Sequence, residues 1–252
     1  MKILIDVSFV GTDFCGYQVQ PDKRTVQGEL NVACKKLFGY DCDVVGCSRT
    51  DSGVHANQFF ATVTKKGSDS IDTEISTEKI PSALSFYLPN DISVKSAVAV
   101  EDSFHSRYNV KYKEYVYRIW NARERNPFVF DRSWHYPRIL DDEAVARMSA
   151  AAQQFVGTHD FSSFMAANSS VKSTVRTVFE ADVQRNGNEI VFRVCGDGFL
   201  YNMVRIMTGT LIAVGENKIP VDSIETIINE RNRSAAGVTA PPQGLYLNKV
   251  VY

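Results

Sequence analysis

The chain has 252 residues, 44% hydrophobic and 23% charged, with a formal net charge of −1. That is the composition of a globular protein able to bury a sizeable core, in one large domain or two ordinary ones. No run of 18 apolar residues exists to cross a membrane, and Lys2–Phe9 opens in strand-like sequence without the pattern of a secretory leader. Near-neutral charge gives no support for nucleic-acid binding by itself, but its distribution does. Between His105 and Arg125, six basic residues (Arg107, Lys111, Lys113, Arg118, Arg123, Arg125) face two acids, Glu114 and Glu124. Such a stripe suits phosphate contact in one cleft, or is a solvated face. The five cysteines (Cys15, Cys34, Cys42, Cys47, Cys195) show no metal spacing and read as reduced, small buried residues of a cytoplasmic protein.

In chain order, Ile3, Ile5, Val7 and Phe9 alternate as one face of a first strand. Thr25 can cap a helix carrying Val26, Leu30, Ala33 and Leu37 that stops at Gly39. Strands follow at 43–47 and 58–64, then a polar loop over 65–76, a helix over 77–86 and a strand over 92–100. The second half opens with a long strand over 111–120. Asp141 caps a helix with Val145, Met148, Ala152 and Phe155, closed by Gly157. Strands over 174–184 and 189–195 flank Asn186-Gly187, a hairpin-turn signal. A helix carrying Leu200, Met203, Met207, Leu211 and Val214 ends near Gly215, and Pro220 starts another with Val221, Ile224 and Ile228. An alternating strand over 245–251 closes the chain. The order implies an α+β fold of two related halves, residues 1–103 and 104–252, meeting near Asp102. Each half has a mostly antiparallel sheet backed by helices, and the two sheets could join into one extended sheet with an active-site cleft between the halves.

One stretch carries chemistry: Gly46-Cys47-Ser48-Arg49-Thr50-Asp51-Ser52-Gly53-Val54-His55-Ala56. A carboxylate on a tight turn beside a guanidinium stays ionised, because the positive charge favours its charged form. Aspartate serves as a nucleophile mainly at glycosidic and phosphoryl centres. Alternatively, Arg49 and Asp51 only fix a loop. Arg205 stands in an apolar helix, a poor place for a charge unless paired; either it snorkels from the helix to water, or pairing with Asp51 would aim the carboxylate. On the strand over 111–120, Lys111, Lys113, Tyr115 and Tyr117 share a face, where cations and aromatics together can hold phosphates and stack a base. His55 reads as a structural, hydrogen-bonding histidine, and His105, His135 and His159 show no metal spacing.

Arg49-Thr50-Asp51-Ser52-Gly53-Val54-His55-Ala56 resembles the signature of the TruA family of tRNA pseudouridine synthases. Gly11, Gly16-Tyr17-Gln18-Val19-Gln20 and Thr25-Val26-Gln27 are similar to its opening segment, with Tyr17 where the family more often has Trp. Phe104-His105-Ser106-Arg107, Tyr115-Val116-Tyr117, 157–161, 198–205 and 241–247 resemble later segments. The resemblance implies the same two-half architecture, a homodimer, tRNA as substrate and no cofactor or metal. It implies catalytic roles for Asp51, Tyr115 and Arg205, and modification of uridines 38, 39 and 40 in the anticodon stem-loop. Arg49 would enter the RNA to displace the base, Tyr115 would stack on the uracil, Leu200 would line its pocket, and Lys113 and Arg107 would contact the substrate. Whether Asp51 attacks ribose C1′, removes a sugar proton or adds to the uracil ring stays open. Two other readings differ in class: an RNA-binding module of the same fold without catalysis, and a nucleoside hydrolase, whose chemistry usually needs two carboxylates.

Overall fold

A computed structural model describes residues 1–167 and 171–252. The architecture is α+β, with mostly antiparallel strand pairing, as the sequence implied. No helix among the described residues is long and apolar enough to cross a membrane. The chain divides into two compact units, 1–111 with 247–252, and 112–246. The division expected at 103/104 thus lies at 111/112, and the last six residues return to the first unit.

In the first unit, strand β1 (Lys2–Phe9) lies between β3 (His55–Lys65) and β4 (Ile92–Val100), antiparallel to both, and β2 (Cys42–Gly46) pairs with the outer side of β3. Ile3, Ile5, Val7 and Phe9 are buried as their alternation requires, but Leu4 and Asp6 of the opposite face are buried too. Helix α1 (Val26–Phe38) starts where expected: the Thr25 side chain accepts from Gly28 N–H at 3.2 Å, and Gly39 N–H closes on the Lys35 carbonyl at 2.9 Å. Its core face is Val26, Leu30, Ala33 and Cys34, while Leu37 is only partly buried. The helix expected over 77–86 is a short 3-10 turn (Thr77–Lys79) running into α2 (Ile80–Tyr87).

In the second unit, β5 (Tyr112–Trp120) pairs with the short β6 (Trp134–His135) in parallel and with β9 (Glu189–Gly196) antiparallel. β8 (Val175–Asn186) joins β9 to β7 (Gly157–Asp160). Helix α3 (Asp142–Gln153) is capped by Asp141, whose side chain accepts from Ala144 N–H at 2.7 Å. It stops at Gln153, short of Gly157, which instead begins β7; buried Phe155 keeps the apolar spacing going past the true helix end. The β8–β9 hairpin turns on Gly187-Asn188, one residue later than expected, because Asn186 still pairs with Glu189 and Gly187 supplies the positive φ of 59°.

Helix α4 (Met203–Gly215) begins after Leu200, so Leu200 lies in the preceding turn rather than in the helix. Helix α5 (Ile224–Glu230) begins four residues after Pro220, and Val221 is exposed in the turn between them. The closing strand β10 (Leu245–Val251) matches its expected bounds and pairs with β3 in the first unit.

Candidate active site

Asp51 stands in a turn between β2 and β3, partly buried. Its carbonyl accepts from Val54 N–H at 3.2 Å, closing a four-residue turn whose third residue, Gly53, has φ of +79°. A positive φ at that position is the signature of a type II turn and is why glycine stands there. The segment Gly11–Tyr17 cradles this turn. The Phe14 carbonyl accepts from Gly53 N–H (3.3 Å) and the Ser52 hydroxyl (3.1 Å), and Tyr17 N–H donates to the Thr50 carbonyl (3.1 Å). A Cβ on Gly11 would lie 2.0 Å from the Val54 carbonyl oxygen, and one on Gly16 would lie 2.6 Å from that of Thr50. Both glycines therefore serve close main-chain approach to the Asp51 turn.

The cradle is anchored in turn. Gly16 and Tyr17 carbonyls accept from the Val26 and Gln27 amides (3.3 and 2.9 Å), which as first-turn donors of α1 have no partner within the helix. The Arg24 guanidinium sits 4.1 Å above the Phe14 ring and forks onto Asp91 at 2.8 and 3.0 Å. Tyr17 is buried, packs on Phe59 with ring centroids 4.4 Å apart, and donates its hydroxyl to the Val44 carbonyl at 3.2 Å. It thus fills space beneath the turn.

His55, 1% exposed, accepts from Gly11 N–H through Nδ1 at 2.9 Å. That bond ties the far end of the Asp51 turn to the cradle, the structural part expected of it. Arg49 is exposed just before the turn. Arg107 is exposed in a loop built by its neighbours: Asn109 Oδ1 accepts from His105 N–H, and His105 Nδ1 accepts from Arg107 N–H. Ser106, fully buried, donates its hydroxyl to the Val45 carbonyl at 2.7 Å.

In the second unit, the β5 register places Lys113, Tyr115 and Tyr117 on one face, opposite Gly196, Val194 and Phe192. Tyr115 is 7% exposed and meets the Phe199 ring edge-on at 5.0 Å. Lys113 is partly buried at the same end of the strand. Tyr117 has a different part: it is fully buried and donates its hydroxyl to the Pro241 carbonyl at 2.6 Å. Burial pushes its phenol far above the ordinary value, so it stays protonated there. It packs; it does not face a substrate.

Leu200 is buried in the turn leading to α4, its N–H directed at the Met203 sulfur at 3.5 Å. Arg205, partly buried in the first turn of α4, donates from Nε to the Ala240 carbonyl and from Nη1 to Asn202 Oδ1, both at 2.7 Å. Phe199 behind Tyr115 and Asn202 beside Arg205 lie within the motif over 198–205, which by itself gives neither of them a part. Their signal was there: an aromatic and an amide flanking the one charge of an apolar helix.

All five thiols are free, and all but Cys15 are buried. Burial raises the Cys42 thiol to about 11 and the Cys34 thiol further, so neither is a ready nucleophile.

The described residues thus present one aspartate on a turn held in a glycine cradle, with an aromatic strand and a held arginine elsewhere in the chain. Comparison with known proteins identifies the family. A family profile described as tRNA pseudouridine synthase matches residues 6–109 and 151–252. The tRNA pseudouridine synthase A of Thermoanaerobacter sp. (strain X514) is 43% identical over 253 residues, covering 100% of this chain and 99% of its own. Those of Anoxybacillus flavithermus (strain DSM 21510 / WK1) and Bacillus pumilus (strain SAFR-032) are each 43% identical, covering 100% of this chain and 98% and 99% of their own. A solved Cbf5-Nop10-Gar1 complex overlays 97% of this chain and 57% of its own at a TM-score of 0.35 and 13% identity, too slight a likeness to carry an argument. The chain belongs to the tRNA pseudouridine synthase family.

Proposed function

We propose that this protein isomerises uridine to pseudouridine in the anticodon stem-loop of tRNA, at positions 38, 39 and 40, with Asp51 as the nucleophile. The observation that carries the reading is the Asp51 turn itself. A single carboxylate is presented on a turn held by the Thr50 and Asp51 carbonyls, the Gly53 and Val54 amides and the close approach of Gly11 and Gly16. Full-length identity of 43% to tRNA pseudouridine synthases supports the same activity.

In the reaction the N1–C1′ bond of uridine breaks, the base turns, and C5 bonds to C1′. The C5 proton leaves and N1 gains one, so atoms and charge balance without an oxidant. Asp51 supports the cleavage of the glycosidic bond, and the positive charge of Arg205 keeps the carboxylate ionised and aimed. Tyr115 stacks on the uracil and assists loss of the C5 proton; its rigidity comes from Phe199 behind it. Leu200 supplies an apolar wall. Arg49, exposed ahead of the turn, enters the RNA as the base leaves the stack, a step costing a few kcal/mol. Lys113 and Arg107 contact the RNA backbone. A single site reaching adjacent uridines must read tRNA shape and phosphates more than sequence. The protein works as a homodimer in the cytoplasm, with tRNA as its partner and no cofactor.

The test uses tRNA tritiated at uridine C5, incubated with the protein alone. The wild type releases tritium, and Asp51→Ala releases none while still binding tRNA. Equal release by both proteins removes Asp51 from its role, and release of free uracil replaces isomerisation with hydrolysis. Arg205→Met is expected to lose turnover far more than tRNA affinity.

A further inference from the structure

The first turn of a helix is a poor place for a cation, because its amides carry the positive end of the helix dipole. Arg205 is nevertheless the third residue of α4, among buried Met203, Val204 and Ile206. Two acceptors make the position tolerable: the Ala240 carbonyl takes Nε–H and Asn202 Oδ1 takes Nη1–H, each at 2.7 Å. The main chain closes the same ring, with Ala240 N–H donating to the Arg205 carbonyl at 3.1 Å. Bonds at two different nitrogens fix the plane of a guanidinium, and so fix where its remaining edge points.

Asn202 is unusual in its own right. An N-cap residue normally has extended backbone and turns its side-chain oxygen onto an amide two or three residues on. Asn202 instead has φ of 60° and ψ of 9°, in the left-handed region, and its side chain caps no amide. Its carbonyl still begins the helix by accepting Ile206 N–H at 3.0 Å. Left-handed backbone is uncommon for a residue with a side chain, and asparagine is among the few that adopt it readily. The side chain thus gives up the capping bond expected at its position, and the oxygen goes to Arg205 instead.

We propose that Asn202 is a positioning residue: its amide oxygen, with the Ala240 carbonyl, sets the orientation of the Arg205 guanidinium for the reaction. The inference rests on the reading above that Arg205 acts on the Asp51 carboxylate.

Asn202→Gly removes the oxygen while keeping a residue at ease with positive φ, and Asn202→Asp keeps an acceptor in the same place. Turnover of C5-tritiated tRNA by Asn202→Gly is expected to fall about ten- to a hundredfold, the worth of one hydrogen bond to a charged group. Its KM for tRNA and its melting temperature are expected to stay near wild type, and Asn202→Asp is expected to recover most of the turnover. On an Arg205→Met background, Asn202→Gly is expected to cost nothing more. Wild-type kcat in Asn202→Gly, with Arg205→Met inactive, overturns the positioning role and leaves the proposed function standing. So does a lowered melting temperature with kcat retained, since that outcome makes Asn202 a residue of the helix start alone. Full turnover by Arg205→Met sinks the underlying reading instead, and the positioning role with it.

Discussion

The turn at Asp51–Val54 carries one charged side chain, and the turn that runs from Asp197 to Asn202 leads into the helix that carries another, Arg205, but different forces hold them. Around Asp51 the frame is mostly main chain against main chain, with the His55 ring and the Ser52 hydroxyl adding one bond each. Gly11 and Gly16 approach so closely that a single added carbon meets a carbonyl oxygen at 2.0 or 2.6 Å. Around Arg205 the frame consists mostly of separate contacts that involve a side chain. Asp197 Oδ1 accepts from Thr177 N–H at 3.0 Å, Asn202 and Ala240 hold the guanidinium, and Phe199 leans on Tyr115. A steric frame has no intermediate settings, whereas a frame of separate hydrogen bonds weakens one bond at a time. Damage to the first turn should therefore be abrupt, and damage to the second graded.

The largest effect is expected from Gly11→Ala. The new methyl would sit 2.0 Å from the oxygen and 2.5 Å from the carbon of the Val54 carbonyl, and no rotamer change can relieve a clash with backbone. A loss of about 3 kcal/mol is expected, at the upper end for overpacking. In thermal unfolding that is a fall of roughly 6–12 °C for a chain of this size. Tritium release should drop with it even well below the melting temperature, since the Asp51 turn has to move. Gly16→Ala adds a strained φ of +82° to its own 2.6 Å contact and should behave similarly. A Gly11→Ala protein with wild-type melting and turnover would erase the contrast between the two turns.

How much of this was legible beforehand follows the same division. The Asp51 turn could be singled out because its residue types announce themselves locally: a glycine two places after a carboxylate, at the end of an apolar strand. β4 and β10 were readable to the residue, since alternation and flanking turn residues are local signals too. What Gly11 and Gly16 do was not readable, because close approach depends on what the fold brings against them. Helix ends failed for a related reason. Phe155 and Leu200 keep helical spacing beyond α3 and ahead of α4, and both are buried, so apolar pattern alone cannot separate a helix residue from a buried turn residue. Asn202 illustrates the limit most clearly. Apolar spacing from Leu200 onward places it inside the helix, and only its left-handed backbone and its bond to Arg205 reveal another use.

Next in size is Asp197→Ala, which probes the graded frame. The substitution deletes the bond to Thr177 N–H but leaves the Asp197 N–H to Thr177 carbonyl bond, also 3.0 Å, in place. Because Asp197 is exposed, solvent takes over part of the lost interaction, and about 1 kcal/mol is expected. Turnover should fall a few-fold, with Tyr115 and Arg205 still present but less firmly backed. An all-or-none loss would mean the second turn is as brittle as the first.

The smallest effect is expected from Ser52→Ala, and it bears most directly on the comparison because it sits inside the Asp51 turn. The Ser52 hydroxyl donates to the Phe14 carbonyl at 3.1 Å, and Gly53 N–H donates to the same oxygen at 3.3 Å. Removing the hydroxyl leaves that acceptor satisfied, so no buried group is stranded, and the net worth of such a bond is about 0.5 kcal/mol. If main-chain contact is what fixes the turn, tritium release by Ser52→Ala should stay within about twofold of wild type, the worth of that bond. A loss comparable to that of Asp197→Ala would show that side-chain hydrogen bonds hold both turns, and that the glycines only make room for them.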